Sequence, residues 1–129
     1  MGKDTNADNQ EVKVEKKIVF DEYSCPITAT MQVLGGKWKS ILINAIYHTS
    51  PARFGELRRS VKGITQSMLT TQLRQLENDG IISRKIYAEI PPRVEYTLTE
   101  FGLTLSPIMQ SMAEWGKQYR LNNERKTEK

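Results

Sequence analysis

The 129-residue sequence offers little thiol or metal-binding chemistry, since it contains one cysteine, Cys25, and one histidine, His48. A single cysteine forms no disulfide within a chain, and the two residues fall short of a usual zinc ligand set. Glycine-rich phosphate loops, nucleophile elbows and paired carboxylates on one face are also absent from the sequence. We therefore expect no bound metal, no cofactor and no enzymatic activity.

Long hydrophobic runs are missing as well. No segment approaches the roughly 20 apolar residues that cross a bilayer. The N-terminal stretch MGKDTNADNQEVKVEKK also lacks the apolar segment that a signal peptide needs. Hydrophobic residues make up 38% and charged residues 26% of the chain, a composition typical of one globular domain. We expect a cytoplasmic protein that does not bind membranes.

The positive charge is concentrated in one segment of the chain. Residues 1–24 hold four lysines and six acidic residues, whereas residues 37–74 hold seven basic residues and the single acid Glu56. A basic segment in an otherwise balanced chain is typical of proteins that bind a polyanion. A solvated basic face is the alternative, and charge alone does not separate the two.

Apolar spacing predicts several short helices in the first half of the chain. Pro26 begins one helix, which Gly35 ends. The next has the single buried stripe of a core helix, formed by Trp38, Ile41, Leu42, Ala45 and Ile46. A shorter helix follows, with its stripe on Phe54, Leu57 and Val61.

A further helix completes a helix-turn-helix. Gly63 ends the short helix, and Thr65 is a favourable N-cap for the next one. Its narrow apolar stripe is Leu69, Leu73 and Leu76. Two β-type segments, residues 81–88 and 94–98, follow on either side of a proline-containing turn. A hairpin in this place is a wing, so the predicted fold is mainly α with a small β-hairpin wing, a winged helix-turn-helix.

The last predicted helix carries an apolar seam. Thr99 is its N-cap, and Pro107 should kink it or divide it in two. Its apolar residues recur every four or three positions, at Phe101, Leu105, Ile108, Met112, Trp115 and Tyr119. We predict that this seam is the interface of a homodimer, because it carries more apolar surface than a core of this size needs. Core packing stays open for the first half of the seam.

The chain is predicted to have three parts. Residues 1–23 show no sustained periodicity and are expected to form a flexible N-terminal arm. Residues 24–121 form the winged helix-turn-helix domain with its C-terminal dimerisation helix. Residues 122–129 are expected to be a disordered tail.

Four stretches carry a resemblance to a known family: CPITATMQVLGGKWKSILINAI, RFGELRRSVKGITQSMLTTQLRQLENDGIISR, PPRVEYTLTEFG and SMAEWGKQYR. In this order they resemble the HxlR family of winged helix-turn-helix transcription regulators, which are MarR-like. The resemblance covers about residues 24–120. It implies a transcription regulator that binds double-stranded DNA as a dimer, with the interface formed by the terminal helices.

The helix after Thr65 is the predicted recognition helix. At 100° per residue, the side opposite its leucine stripe and the first turn present the predicted base-reading residues Gln66, Ser67, Thr70, Thr71 and Arg74. Such side chains can enter the major groove and hydrogen-bond base edges. Basic residues placed for phosphate or for the wing are Lys37, Lys39, Arg58, Arg59 and Arg93. A protein-interaction module on the same fold is the rival interpretation, and it would favour apolar or acidic residues on this helix.

Two interpretations of Cys25 stay open. The resemblance implies a sensor of oxidants or electrophiles, because some HxlR-type regulators use a cysteine at the entrance to the first helix. A position beside Pro26 at a helix N-terminus would favour the thiolate. An unpaired cysteine is also often a small buried apolar residue.

Overall fold

The computed structural model describes residues 18, 20, 21 and 24–127. The predicted N-terminal arm, residues 1–23, lies almost wholly outside these residues. The chain divides into two compact units, Met1–Gln32 and Val33–Lys129. In the first unit, the described structure is mainly helix α1, Pro26–Leu34, whose last two residues belong to the second unit.

The second unit contains the helix-turn-helix and the wing. Its elements are α2 (Lys39–Thr49), β1 (Ala52–Arg53), α3 (Phe54–Ser60), α4 (Gln66–Asn78), β2 (Ile82–Tyr87), β3 (Arg93–Leu98), α5 (Glu100–Leu103) and α6 (Ser106–Thr127). The predicted class, mainly α with a β-hairpin wing, is confirmed. The three strands are antiparallel in the order β1-β3-β2, with Tyr87 opposite Arg93 next to the hairpin turn.

The hydrophobic core of this unit lies between α2, α3, α4 and the sheet. Among the described residues, every buried side chain in it is hydrophobic. The largest side chains with almost no exposed surface are Leu42, Ile46, Leu57, Leu69, Leu73, Leu76, Ile81 and Ile82. The leucine stripe predicted for α4 is therefore the face that anchors this helix to the rest of the unit.

The stripe predicted for α2 is wrong at one position. Ile41 is 44% exposed, and Ile43, which the pattern left out, is 2% exposed. Residues two positions apart on a helix differ by about 200° in direction, so they face opposite sides. Ile41 instead lines a cavity of about 610 Å³ between α2 and α6, together with Tyr47, His48 and Met112.

The C-terminal helix is divided, as Pro107 predicted. Helix α5 ends at Leu103, and α6 begins at Ser106, which puts Pro107 in a first turn where a missing N–H costs little. Helix α6 continues to Thr127, beyond the predicted start of a disordered tail at residue 122. Residues 117–127 contain no glycine or proline that would end the helix. The positive charges of Arg125 and Lys126 in the last turn also interact favourably with the negative end of the helix dipole. Residues 128 and 129 lie outside the described part.

Candidate nucleic-acid interface

Both ends of helix α4 are fixed by local hydrogen bonds. At its start, the Thr65 hydroxyl accepts a hydrogen bond from the backbone N–H of Met68 at 3.1 Å, as the sequence predicted. At its end, Gly80 has a φ of 78°, and the N–H of Ile81 donates to the carbonyl of Leu76 at 3.0 Å. Glycine adopts this left-handed conformation without steric cost. These bonds set the length and direction of the predicted recognition helix.

The two sides of α4 differ sharply in exposure. Leu69, Leu73 and Leu76 are buried, whereas the predicted base-reading residues are exposed except for the half-buried Thr70. The Thr70 hydroxyl donates to the carbonyl of Gln66 at 2.9 Å, so its proton is already used within the helix. Its methyl group remains available for apolar contact.

Sequence reasoning passed over Met68 in the first turn of α4. This side chain is 41% exposed, beside the polar face. Apolar atoms in this place can contact the methyl group of thymine. The signal in the sequence was its position one residue before Leu69, about 100° away from the buried stripe.

Arg58 fixes the turn between α3 and α4, and Glu56 fixes the other end of α3. The Arg58 Nε–H donates to the carbonyl of Ile64 at 3.3 Å, which braces the residue before the N-cap of α4. Glu56, the single acid of the basic segment, accepts a hydrogen bond from the backbone N–H of Arg53 at 2.8 Å. Its carboxylate therefore lies at the N-terminus of α3, where the helix dipole favours negative charge.

The remaining cations predicted to contact phosphate are placed differently from one another. Arg59 is exposed on α3. The Lys37 ammonium lies 4.8 Å from the centre of the Trp38 ring, and Lys39 is half-buried in the first turn of α2. Of the predicted phosphate-binding residues on α2 and α3, Arg59 is therefore the freest to reach a phosphate.

Arg93 in the wing is engaged within the hairpin. Its Nη2 lies 3.2 Å from a carboxylate oxygen of Glu89, and its Nε lies 3.8 Å from Glu95. The guanidinium carbon is 3.9 Å from the centre of the Tyr87 ring. The structure therefore brings together one cation, two carboxylates and an aromatic ring, an arrangement that the sequence pattern did not indicate.

Five of the six seam residues are exposed, and these five lie on α5 and α6. They include Trp115, at 70%, and Tyr119, whose rings stack at 5.6 Å with an angle of 10° between their planes. Phe101, Ile108 and Met112 are the others. Leu105 differs, because its side chain is already packed in the hydrophobic core of the subunit. The core packing left open for the first half of the seam therefore applies to this residue.

Cys25 lies directly before α1 and is half-buried. Its pKa is lowered, first by hydrogen bonding from the backbone of Thr28, then by that from Ile27 and from the Thr28 side chain. Hydrogen bonds of this kind favour the thiolate, the nucleophilic form. In the range that the structure covers, no cluster of side chains is suited to hold a metal ion, and no described helix is long and apolar enough to cross a membrane.

Comparison with known proteins also identifies a helix-turn-helix protein. Residues 33–124 match the HxlR-like helix-turn-helix family. A Bacillus subtilis (strain 168) protein, the uncharacterized HTH-type transcriptional regulator YybR, is 51% identical over 109 residues, which cover 82% of this chain and 85% of that protein. The redox regulator HypR is similar in two solved forms. The reduced form has a TM-score of 0.74 and 50% identity over 78% of this chain and 99% of HypR.

The oxidized form of HypR has a TM-score of 0.68 and 53% identity, over 73% of this chain and 96% of that one. The relatives are transcriptional regulators rather than enzymes. Their shared family, the capped helix α4 and the wing that follows it lead to one conclusion. The chain belongs to the HxlR-like helix-turn-helix family and is a DNA-binding transcriptional regulator.

Proposed function

We propose that this regulator binds operator DNA as a homodimer, in the cytoplasm and without catalysing a reaction, and that each subunit places α4 in the major groove. The observation that carries the proposal is the contrast between the two sides of α4. The leucine face is buried, and the opposite face is polar, exposed and free of acidic side chains between Gln66 and Gln75. A polar face without acids fits the major groove of a polyanion better than it fits an apolar partner.

The base-reading role is proposed for Gln66, Ser67, Thr70, Thr71 and Arg74. Arg74 can form two hydrogen bonds with guanine, and Gln66 can pair in the same way with adenine. Thr70 contributes its methyl group, because its hydroxyl is bonded to the Gln66 carbonyl. Short side chains at Ser67 and Thr71 let the helix backbone approach the floor of the groove.

The phosphate-binding role is proposed for Lys37, Lys39, Arg58 and Arg59. In this role the charge matters and the base sequence does not. Arg58 keeps its terminal Nη groups for phosphate while its Nε braces the turn. Direct contact of Arg93 with DNA stays a prediction, and it would require the guanidinium to leave Glu89 and Glu95.

The homodimer is proposed to form through Phe101, Ile108, Met112, Trp115 and Tyr119, with Leu105 supporting the helix from within the subunit. Exposed aromatic and methionine side chains are typical of interface centres. A two-fold axis would also place two copies of α4 on successive turns of the major groove. The terminal helices are therefore the proposed origin of the operator spacing.

Cys25 is proposed to make operator binding sensitive to oxidants and electrophiles. The proposal is supported by its lowered pKa and by the similarity to HypR, a redox regulator. Because the chain has no second cysteine, oxidation would join Cys25 to the partner subunit or to a small thiol. Diamide would take up the two electrons and two protons lost by the two thiols. We expect diamide to change operator binding by the wild type and not by Cys25→Ser, measured by mobility shift.

The test of the base-reading role begins with selection of bound sequences from a random DNA pool. Arg74→Ala should lose preference at one base step, by about 1–3 kcal/mol, while other positions keep theirs. Arg125→Ala, which removes the same charge from the far end of α6, is the control and should leave the preference unchanged. Identical selected sequences for Arg74→Ala and the wild type would contradict the assignment.

A further inference from the structure

The cations of the wing already have partners within the subunit. Arg84 pairs with Glu77 of α4 at 3.7 Å, and the Lys85 ammonium lies 4.9 Å from the centre of the Tyr87 ring. Arg93 lies between Glu89 and Glu95. In the free protein, Arg84 and Arg93 are therefore paired with carboxylates, and Lys85 lies over an aromatic ring.

Arg93 would be difficult to withdraw from this arrangement. Its side chain is 31% exposed, its Nε has no accessible surface, and its guanidinium packs on the Tyr87 ring. If the guanidinium moved to a phosphate, the carboxylates of Glu89 and Glu95 would remain unpaired beside the negative DNA backbone. Like charges at such distances repel, so this exchange is unfavourable.

The tip of the wing has a different chemical character. Residues 88–92 read AEIPP and include no cation. Ile90 is fully exposed at this tip, and the two prolines after it are exposed as well. Apolar side chains, including isoleucine and proline, are among those that proteins place in the minor groove against sugars and base steps.

We propose, on the basis of the function proposed above, that the wing contacts DNA through an apolar tip, Ile90 with Pro91 and Pro92. Arg93 is a positioning residue in this arrangement. Its planar guanidinium packs on Tyr87 and pairs with Glu89, on the tip side, and with Glu95, on β3. It thereby fixes the direction in which Ile90 projects. The wing adds affinity without binding phosphate, so its contribution is nearly independent of salt.

The first test compares two exposed isoleucines of the same hairpin on a selected operator. Ile90→Ala should weaken binding about tenfold, with an unchanged slope of log affinity against log salt concentration, because no phosphate contact is lost. Ile86→Ala, which removes the same atoms from the face of β2 opposite to Tyr87, should weaken binding less than twofold. Equal losses in both variants, or no loss in Ile90→Ala, would overturn the proposal.

The second test separates positioning from direct contact at Arg93. Arg93→Ala and Arg93→Lys should both weaken binding, since lysine lacks the planar group that stacks and pairs, and neither should change the salt slope. Arg59→Ala is the reference for a phosphate contact and should lower the slope by about 1. The double variant Ile90→Ala/Arg93→Ala should lose no more affinity than the worse single variant, because both act through the tip.

A slope lowered by about 1 in Arg93→Ala, or full rescue by Arg93→Lys, would identify a direct phosphate contact and overturn the inference. Thermal unfolding of each variant checks that the hairpin remains folded. Failure of the wild type to bind any selected DNA would instead contradict the proposed function itself. The two failures are therefore distinguishable.

Discussion

The carbonyl oxygen of Ile81 occupies the space that a side chain at Gly102 would need. This close approach joins the start of the C-terminal helices to the end of the recognition helix. Thr99 strengthens the junction, because its hydroxyl donates to the carbonyl of Gly80 at 2.6 Å and accepts from the N–H of Gly102 at 2.9 Å. The proposed dimer helix and the proposed DNA-reading helix are thus tied together through a few backbone atoms.

Gly102→Ala is expected to destabilise the protein by about 2 kcal/mol or more. The added Cβ would collide with backbone, which cannot move aside as a flexible side chain can. Gly55→Ala is the matched control, because its Cβ would meet the flexible end of Arg59 at 3.3 Å. A helical Gly→Ala change without a clash is neutral or stabilising by up to about 1 kcal/mol. Urea unfolding that gives equal stabilities for the two variants would contradict this prediction.

Thr65→Ala is expected to cost about 1 kcal/mol of stability, because the N–H of Met68 loses its acceptor. It should also weaken DNA binding, since Gln66 and Ser67 lie in the turn that would fray. Thr65→Ser keeps the oxygen and should restore most of both quantities. Urea unfolding and mobility-shift titration provide the two measurements, and a Thr65→Ala protein as stable as Thr65→Ser would refute the capping role.

Local chemistry accounts for the parts of the fold that were predicted correctly. The cap at Thr65, the stripe Leu69, Leu73 and Leu76, and the interruption near Pro107 depend on residues close together in the chain. The strand β1 was missed because two residues are too few to show an alternating pattern. Ala52 is identified as a strand residue only by its pairing with Tyr96, which is distant in the sequence.

The exposure and contacts of the candidate site residues follow from local sequence pattern only in part. The exposed face of α4 follows from helical periodicity, whereas the intramolecular partners of Arg58 and Arg93 depend on how the turn and the hairpin close. A count of charges treats every arginine as available to DNA. The core shows the same limit of local pattern. Which face of α2 is buried depends on the elements packed against it, so Ile43 is buried and the predicted Ile41 is exposed.

Arg58→Lys is expected to lower stability by about 1 kcal/mol, because lysine has no donor in the position of Nε and the Ile64 carbonyl loses its partner. Arg59→Lys, the control on the next residue, should stay within about 0.5 kcal/mol of the wild type. Both variants keep their charge, so both should keep the salt slope of DNA binding. Equal stability of the two variants in urea would show that the hydrogen bond contributes nothing.

Cys25 is expected to react with iodoacetamide with a pH midpoint below that of the same cysteine in the urea-unfolded chain. The N–H of Thr28, followed by that of Ile27, stabilises the thiolate and lowers the pKa, so the reactive form is present at lower pH. Thr28→Val removes the hydroxyl contribution and should raise the midpoint, and Thr28→Ser should leave it in place. The single cysteine makes the total alkylation rate a direct readout, and coincident midpoints in folded and unfolded protein would contradict the prediction.

Trp115→Ala is expected to raise the dissociation constant of the homodimer at least tenfold. The tryptophan is mostly exposed in the subunit and stacks on Tyr119, which presents one continuous aromatic surface to a partner. Lys117→Ala is the control on the same helix, because Lys117 makes only an exposed ion pair with Glu114 at 3.6 Å. Sedimentation velocity over a range of micromolar concentrations gives the measurement. A wild-type protein that sediments as a monomer throughout this range would contradict the proposed homodimer. Equal association of Trp115→Ala and Lys117→Ala would show that the interface lies elsewhere.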